Sequence, residues 1–553
     1  MTLMRRNALQ LVTVLCAVTT VFGQGKLASD LSSLKTTHVN VIVQYAHAPT
    51  ESHHRKIRDR GGELLHSFNT LPGSTYKIPV SALNDLANDP EVVFVSPDRL
   101  LTPTLDIAAA TINATAAAQY GYDGSGVGVA VIDSGISPHA DFPRGAEFHL
   151  DLAGGGVQDA YGHGTHVAGI IAGTGRSSSN SSFFRTFQGI APGVSLIDLR
   201  VLDKNGSGTD SSVIVAIEAA IFLKNFLNIR VINLSLGRPV YESYKLDPLC
   251  QAVENAWKAG IVVVVAAGNS GRDNSVGTSG YGTIGSPGND PYVITVGAMK
   301  TAGTTTRSDD TIASYSSKGP TLYDHIAKPD IVAPGNRTIS LRAATASLAK
   351  TYPQTLVAMN VYQHGGRADA SPDYLNLSGT SMAAPMVSGA VALILQKFPQ
   401  LTPDRVKARL MKTASKSFPA YSNATDPVTG TTYTSQYDIF TIGAGYLDIA
   451  AALDNSDNTT GTAISPTAGY SGGKVTLNYD STAVWNKSVT WGSSVIWGSN
   501  VFMPGTSNLW GSSVVWGTGT MKGFSVVWGS SVVWGTGNQT SAESINVAVN
   551  GEN

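Results

Sequence analysis

The sequence predicts an α/β protein. A parallel β-sheet flanked by helices spans residues 120–453, with a smaller α+β unit ahead of it at 38–101 and a β-rich repeat behind it at 481–540. Three observations carry this. First, apolar runs of strand length ("GVGVAVID", "VSLIDLRVL", "IRVINLSLG", "GIVVVVAAGN") alternate with helical stretches such as "DSSVIVAIEAAIFLKNFL" and "LDPLCQAVENAWKAG". Strands apolar on both faces and separated by helices belong to a parallel sheet covered on both sides. Second, residues 38–101 carry their own alternation of strand and helix. Third, seven of the eight tryptophans fall between Trp485 and Trp534.

The elements follow in chain order. Arg5 and Arg6 precede the apolar run "ALQLVTVLCAVTTVFG", which is short for a spanning helix. A secretory signal over residues 1–23 is expected, cut near Gly23, and the mature chain is expected to be extracellular. Cys16 would leave with the signal, so Cys250 would have no intrachain partner. In 38–101, "VNVIVQY" reads as a strand, "ESHHRKIRDRG" as a helix and "ELLHSFN" and "STYKIPV" as strands. "SALNDLANDP" reads as a helix capped by Ser81, and "EVVFVSP" as a last strand. The order β-α-β-β-α-β is the ferredoxin-like pattern.

Composition excludes some partners. Lys+Arg (38) balance Asp+Glu (39) for a net charge of -1, so no basic stripe points to nucleic acid and no polybasic block to a membrane surface. Only 14% of residues are charged and 58 are glycine, the composition of an uncharged, loop-rich surface.

Three segments place reactive groups at strand ends or helix starts, where open α/β sheets hold their functional side chains. Asp133 ends the strand of "VAVIDSGI". His163 and His166 open a small-residue helix in "GHGTHVAGIIAG". Ser381 opens a long apolar helix in "LSGTSMAAPMVSGAVALILQKFP". Singly, these suit a loop cap, a packed histidine pair and an N-cap. Together, in the order Asp, His, Ser, they supply a nucleophile, a base and a group to orient that base.

"VIDSGI", "GHGTHVAG" and "GTSMAAP" resemble the three signature blocks of the subtilisin-like serine proteases, the subtilases. The resemblance covers residues 120–453, and the unit at 38–101 is similar to the subtilase propeptide. It implies that Asp133 orients the imidazole, His163 is general base and acid, and Ser381 is the nucleophile. His166 is then a buried packing partner. "VVVVAAGNSG" resembles the family's oxyanion block, which implies that role for Asn269. "KNGSGTDSS" and "NLSLGRP" resemble the edges that pair with substrate, implying Gly206, Ser207, Gly208, Ser235, Leu236 and Gly237. Ala266, Ala267 and Gly268 would floor the S1 pocket.

The resemblance further implies protein or peptide substrates and self-removal of the propeptide, which serves as intramolecular chaperone and inhibitor. A monomer is the expected state. Catalysis needs no cofactor, and the one ion implied is a structural calcium at Asp141, in "SPHADFP". A non-catalytic adhesin or scaffold on the same fold is the alternative, and it would need none of Asp133, His163, Asn269 and Ser381.

The segment 336–376 between "KPDIVAPG" and "NLSGTS" reads as a surface loop, and 454–480, "DNSDNTTGTAISPTAGYSGG" onward, as a linker. The repeat at 481–540 sets tryptophans six residues apart, one ring face if the segment is extended. It is expected to be an appendage that binds a cell surface or an insoluble substrate, sugars included.

Overall fold

A computed structural model describes residues 26–27, 31, 37–67, 72–97, 105–275, 277–426, 429–457, 460–471, 474–478, 480, 482–483 and 547–552. The chain divides into two compact units, Met1–Leu101 and Thr102–Asn553. The expected signal at 1–23 and almost all of the repeat at 481–540 lie outside the described residues.

The first unit runs β1 (His38–Tyr45), α1 (Glu51–Asp59), β2 (Glu63–Ser67), β3 (Gly73–Pro79), α2 (Leu83–Ala87), β4 (Val92–Pro97). Its strands form one antiparallel sheet in the order β2-β3-β1-β4. Val41 and Val43 of β1, two residues apart, face one side of the pleat and pack with Tyr76, Ile78 and Val95. Ile57 of α1 and Leu83 and Leu86 of α2 close the same core. Ser81, expected to cap the second helix, lies instead inside a 3-10 turn, Val80–Ala82, that runs straight into α2 without a side-chain cap.

The second unit begins with α3 (Leu105–Thr111) and α4 (Thr115–Gln119), followed by β5 (Gly128–Asp133), β6 (Phe148–Asp151), α5 (His163–Ala172) and β7 (Ser195–Arg200). Next come α6 (Asp210–Leu223), β8 (Ile229–Leu234), α7 (Pro248–Lys258), β9 (Val262–Ala266), β10 (Ile294–Lys300), β11 (Thr311–Ile312) and β12 (Ile331–Pro334). The sheet order is β11-β10-β9-β8-β5-β7-β6, with β12 also on β10. Every pairing is parallel except β10 with β11. The expectation of a parallel sheet is thus corrected to a mixed one. The link from Lys300 to Thr311 is too short for a crossover, which needs a dozen or more residues, so the chain can only return antiparallel.

The strands are buried as their composition demands. β5, β9 and β12 are inaccessible along their whole length. Two helix pairs pack on the sheet, α6 with α7 and α5 with α9 (Thr380–Lys397). α9 is buried from Thr380 to Leu395 and lies on β8, β9, β10 and β12. A helix apolar all round belongs in a core.

Two expectations change here. Residues 336–376 are more than a surface loop. β13 (Thr338–Leu341), α8 (Ser347–Thr351), β14 (Leu356–Ala358) and β15 (Ala370–Leu377) lie there, and the strands form a second sheet, β13-β15-β14. β13 is wholly buried and packs against α5. The linker expected at 454–480 is also partly built into the unit. α10 (Pro403–Thr413), the hairpin β16 (Tyr421–Thr425) with β17 (Thr432–Gln436), and α11 (Ile449–Asp454) precede it. β18 (Thr467–Ser471) then pairs with β19 (Lys474–Asn478).

Ser465 shows why the chain is held there. Its hydroxyl donates to Asp330 (2.6 Å) and accepts from Lys407 (2.8 Å). Asp330 also takes Lys328 at 2.6 Å and the Thr295 N–H at 2.8 Å, and lies 3.1 Å from Lys407. All four side chains are inaccessible or nearly so. Burial opposes the Asp330 charge, but the two ammonium groups more than offset it and hold its carboxyl below the usual range.

Removing that charge leaves two buried lysines with one neutral partner, and Lys407, whose pKa burial already lowers to about 7, loses its proton the more readily. Asp330→Asn should cost about 3–5 kcal/mol, the cost of breaking a buried pair from one side. The denaturant midpoint should fall accordingly, and an unchanged midpoint would show that the cluster contributes nothing.

Candidate active site

Three neighbouring strands deliver the site from their carboxyl ends. β5 ends at Asp133, β8 runs out into Ser235, and β9 runs out through Ala266 toward Asn269. Two helices begin at the same edge, α5 at His163 and α9 one residue before Ser381.

Asp133 and His163 form a buried pair. His163 Nδ1 stands 2.8 Å from Asp133 Oδ1, which also accepts the Ser134 N–H at 2.7 Å. A carboxylate acceptor fixes the proton on Nδ1 and leaves Nε2 as the basic nitrogen. Burial disfavours the charged ring, and the Asp133 carboxylate, by charge and by hydrogen bond, more than offsets it. The His163 pKa is therefore raised above the ordinary imidazole value. His166, three residues on, meets the opposite fate. Buried and bonded to the Thr338 carbonyl (3.1 Å), it has its pKa lowered to about 3, by desolvation first and His163 second, so it stays neutral.

Sequence reasoning passed over Asp159. This inaccessible carboxylate accepts from Ser134 Oγ (2.8 Å), Gly162 N (2.6 Å), Thr165 N (2.8 Å) and Thr165 Oγ (2.7 Å). It satisfies the amides at the start of α5 and so sets where His163 begins the helix. Ser134 also accepts the Gly164 N–H (2.9 Å), stitching the Asp133 turn to the same helix end. The signal lay in "DAYGHGTH", an acidic residue four positions ahead of a helix start.

At the start of α9, Ser381 and Ser235 hold each other. Ser235 Oγ donates to the Ser381 carbonyl (2.8 Å), and Ser381 Oγ donates to the Ser235 carbonyl (3.1 Å). Asn269 is fixed from its other end. Its Oδ1 accepts the Thr380 N–H (2.9 Å) and the Thr380 hydroxyl (3.1 Å), which assigns Nδ2 to the opposite side of the amide. Gly379 has φ +149°, and a Cβ there would lie 3.1 Å from Asn269 Nδ2. Only glycine passes the chain under that amide without pressing on it.

The other expected residues are placed unevenly. Gly206 and Gly208 bound a turn after β7. Between them the Ser207 N–H donates to Asp203 Oδ1 (3.0 Å) and its carbonyl accepts the Asp203 N–H (2.8 Å), so both of its backbone groups are engaged within the turn. Leu236 is buried, and Gly237 leads into a reciprocal pair between Arg238 and Ser286 (2.9 and 2.8 Å). Ala267 is likewise consumed, its N–H by Val296 (3.0 Å) and its carbonyl by Gly285 (3.1 Å). Ala266 and Gly268 flank it on the way to Asn269, and the Gly268 N–H donates to Thr380 Oγ (3.1 Å).

Asp141 is inaccessible, but hydrogen-bond donors surround it. Oδ1 accepts the Ser177 N–H (2.7 Å), Oδ2 the Tyr374 hydroxyl (3.4 Å), and the His139 ring lies 3.9 Å away. Among the described residues no group of three or more His, Cys, Asp or Glu is placed to hold a metal. Calcium takes six to eight oxygens with several carboxylates, and one carboxylate ringed by donors does not fit that set.

A carboxylate–imidazole pair, a serine at the start of a buried helix and an amide held beside it, all at the carboxyl edge of a largely parallel sheet, define a serine hydrolase. The chain belongs to the subtilase family, whose model (Peptidase_S8, Subtilase family) matches residues 124–445, and it is a subtilisin-like serine endopeptidase. It is 38% identical to serine protease AprX of Bacillus subtilis over 65% of this chain and 78% of that protein. It is 33% identical to subtilisin E of B. subtilis over 73% of this chain and 93% of that one. With subtilisin DY of Bacillus licheniformis the identity is 38%, over 53% and 86%.

The raised His163 pKa carries a pH prediction. Only the neutral ring can accept a proton, so activity must rise as pH climbs through the folded pKa. The acid limb of kcat/KM should have its midpoint above about 6.5, the free imidazole value. The stability term runs the other way. The charged ring is the favoured form in the fold, so its contribution is full below about pH 6.5 and lost as pH rises through the folded value. A pH–rate profile with its acid limb below 6.5 would contradict the assignment of His163 as base.

Proposed function

We propose that the chain is a secreted serine endopeptidase that cleaves peptide bonds through Asp133, His163 and Ser381 and matures by removing its own N-terminal unit. The observation that carries this is the buried pair of Asp133 and His163, with Asn269 held beside the start of the nucleophile helix. Ser381 Oγ attacks the scissile carbonyl carbon while His163 Nε2 takes its proton, and Asp133 stabilises the ring that becomes charged. The developing oxyanion meets Asn269 Nδ2 and the Ser381 N–H, which lies in the first helical turn where amides have no intrahelical acceptor. Collapse expels the amine, which carries off the proton from His163, and leaves an acyl-enzyme. Water, deprotonated by the same ring, then attacks the acyl carbon, and the C–Oγ bond breaks to release the acid as His163 returns the proton to Ser381 Oγ.

The ferredoxin-like order of the first unit supports its reading as a propeptide. Peptide hydrolysis needs no metal in this scheme, and a monomer suffices. The glycines and small residues at 206–208 and 235–237 suit close approach by an extended substrate backbone. An adhesin or scaffold on this fold has no use for the held amide of Asn269 or the buried carboxylate beneath His163.

Two results test this. Asn269→Ala should lower kcat by roughly a hundred- to a thousandfold, the loss already known for an oxyanion donor of subtilisin. Wild-type turnover in that variant would remove the assignment. Ser381→Ala, purified and weighed by mass spectrometry, should keep its N-terminal unit, whereas the parent chain should lose about a hundred residues, the length of the first unit. Identical N-termini in the two would exclude self-processing.

A further inference from the structure

The last described residues, 547–552, pack on the catalytic unit rather than trail from it. Val547, Ala548 and Glu552 are buried. They reach the site from two sides. On one, the N–H of Ser378, three residues before the nucleophile, donates to the Ala548 carbonyl (2.9 Å). Asn336 and Glu552 exchange a pair of bonds, Nδ2 to the Glu552 carbonyl (3.0 Å) and the Glu552 N–H to Oδ1 (2.8 Å). Gly335, next to Asn336, accepts the Gly379 N–H (2.8 Å). On the other side, the Glu552 carboxylate takes Arg272 Nη2 (2.8 Å), the Ser314 N–H (2.9 Å) and the Ser314 hydroxyl.

Arg272 stands three residues beyond Asn269. It also pairs with Asp426 (3.2 Å), donates through Nε to Ser314 (2.7 Å) and lies 4.8 Å over the Tyr433 ring. The seat is shaped as well as charged. Gly551 sits at φ +62°, where a Cβ would come within 2.5 Å of Ser378 Oγ and 2.8 Å of Arg337 Cγ. A carboxylate is not buried by accident, because its desolvation must be offset by several donors. Here an arginine, an amide and a hydroxyl supply them, all three at Oε1, while Oε2 is buried with no hydrogen-bond partner among the described residues.

We propose that residues 547–552 are a latch in cis that positions the catalytic groups. Glu552 is a positioning residue, acting through Arg272 on the Asn269 loop and through Asn336 and Gly335 on the turn that presents Ser381.

The proposal rests on the roles given to Asn269 and Ser381, and the test separates the two. The full chain is stopped after residue 546, allowed to mature, and its competent serines are counted by titration with a serine-directed phosphonate. The kcat per titrated site should fall about tenfold to a hundredfold, as for small misplacements of catalytic groups, with KM for a short peptide unchanged. Excess synthetic VAVNGEN should restore it, and VAVNGQN should not. Glu552→Gln in the intact chain should show the same fall in kcat. Unchanged kcat per site, a loss that VAVNGEN does not reverse, or a Glu552→Gln chain with parental kcat would each overturn the latch. Asn269→Ala run beside them with parental kcat would instead strike the oxyanion assignment itself.

Discussion

Where helix α9 begins is the constraint on which the site depends. The helix is buried from Thr380 to Leu395 against four strands, so it cannot slide. A slip of one residue would turn every side chain by about 100° and drive Ser381 away from Ser235. The starting point is fixed through the backbone groups of residues 379–381, held by one backbone carbonyl and two side chains. Gly379 bonds to Gly335, Thr380 to Asn269, and the Ser381 carbonyl to Ser235. Each of those partners follows a different strand, β12, β9 and β8. The sheet's own register is thereby carried into the position of one hydroxyl.

Charge is distributed around this point with equal economy. Asp133 and Asp159 are both inaccessible and both lie beneath the start of α5, where the helix dipole favours negative charge. Their environments divide the work. Asp159 spends its oxygens on four donors of the protein, with burial still raising its pKa above the usual carboxylate value. Asp133 keeps Oδ1 for the ring of His163 and the Ser134 N–H. The histidines divide in the same way. A carboxylate neighbour makes His163 the stronger base, while full burial, with His163 beside it, keeps His166 neutral against the opposite pull of its carbonyl partner.

The sequence was legible wherever chemistry demands particular atoms at fixed spacing. Asp133, His163, Asn269 and Ser381 sit in short blocks whose residues are all local to one strand end or helix start, and apolar runs betray buried strands without any knowledge of the neighbours. What could not be read depends on partners far along the chain. Ser465 looks like any loop serine until Asp330 and Lys407 are brought beside it. Asp159 looks like a turn residue until its four donors are counted. The strands of 336–376 carry no clean alternation because β13 is covered on both faces and β15 is irregular at its pairing with β14. Ser207 and Ala267 come from resemblance to the family's substrate-binding blocks, which says nothing about whether the backbone groups there are already bonded within the protein.

Glu552 is the extreme of that long-range dependence. It meets Asn336, Ser314 and Arg272 across sequence separations of 216, 238 and 280 residues. Contacts of such range are slow to form, because the entropy of closing long loops is lost before the contact returns anything. A site that needs residue 552 to hold Asn269 and Gly379 in place is therefore incomplete until the chain has been made that far. In a protease this order of events has a plain consequence. Asp133, His163 and Ser381 all precede the latch in the chain, so a nascent chain that already carries all three still lacks the contact to the Asn269 loop. A segment far along the sequence then controls when the groups at its centre begin to act, and this control needs no moving part beyond the docking of six residues.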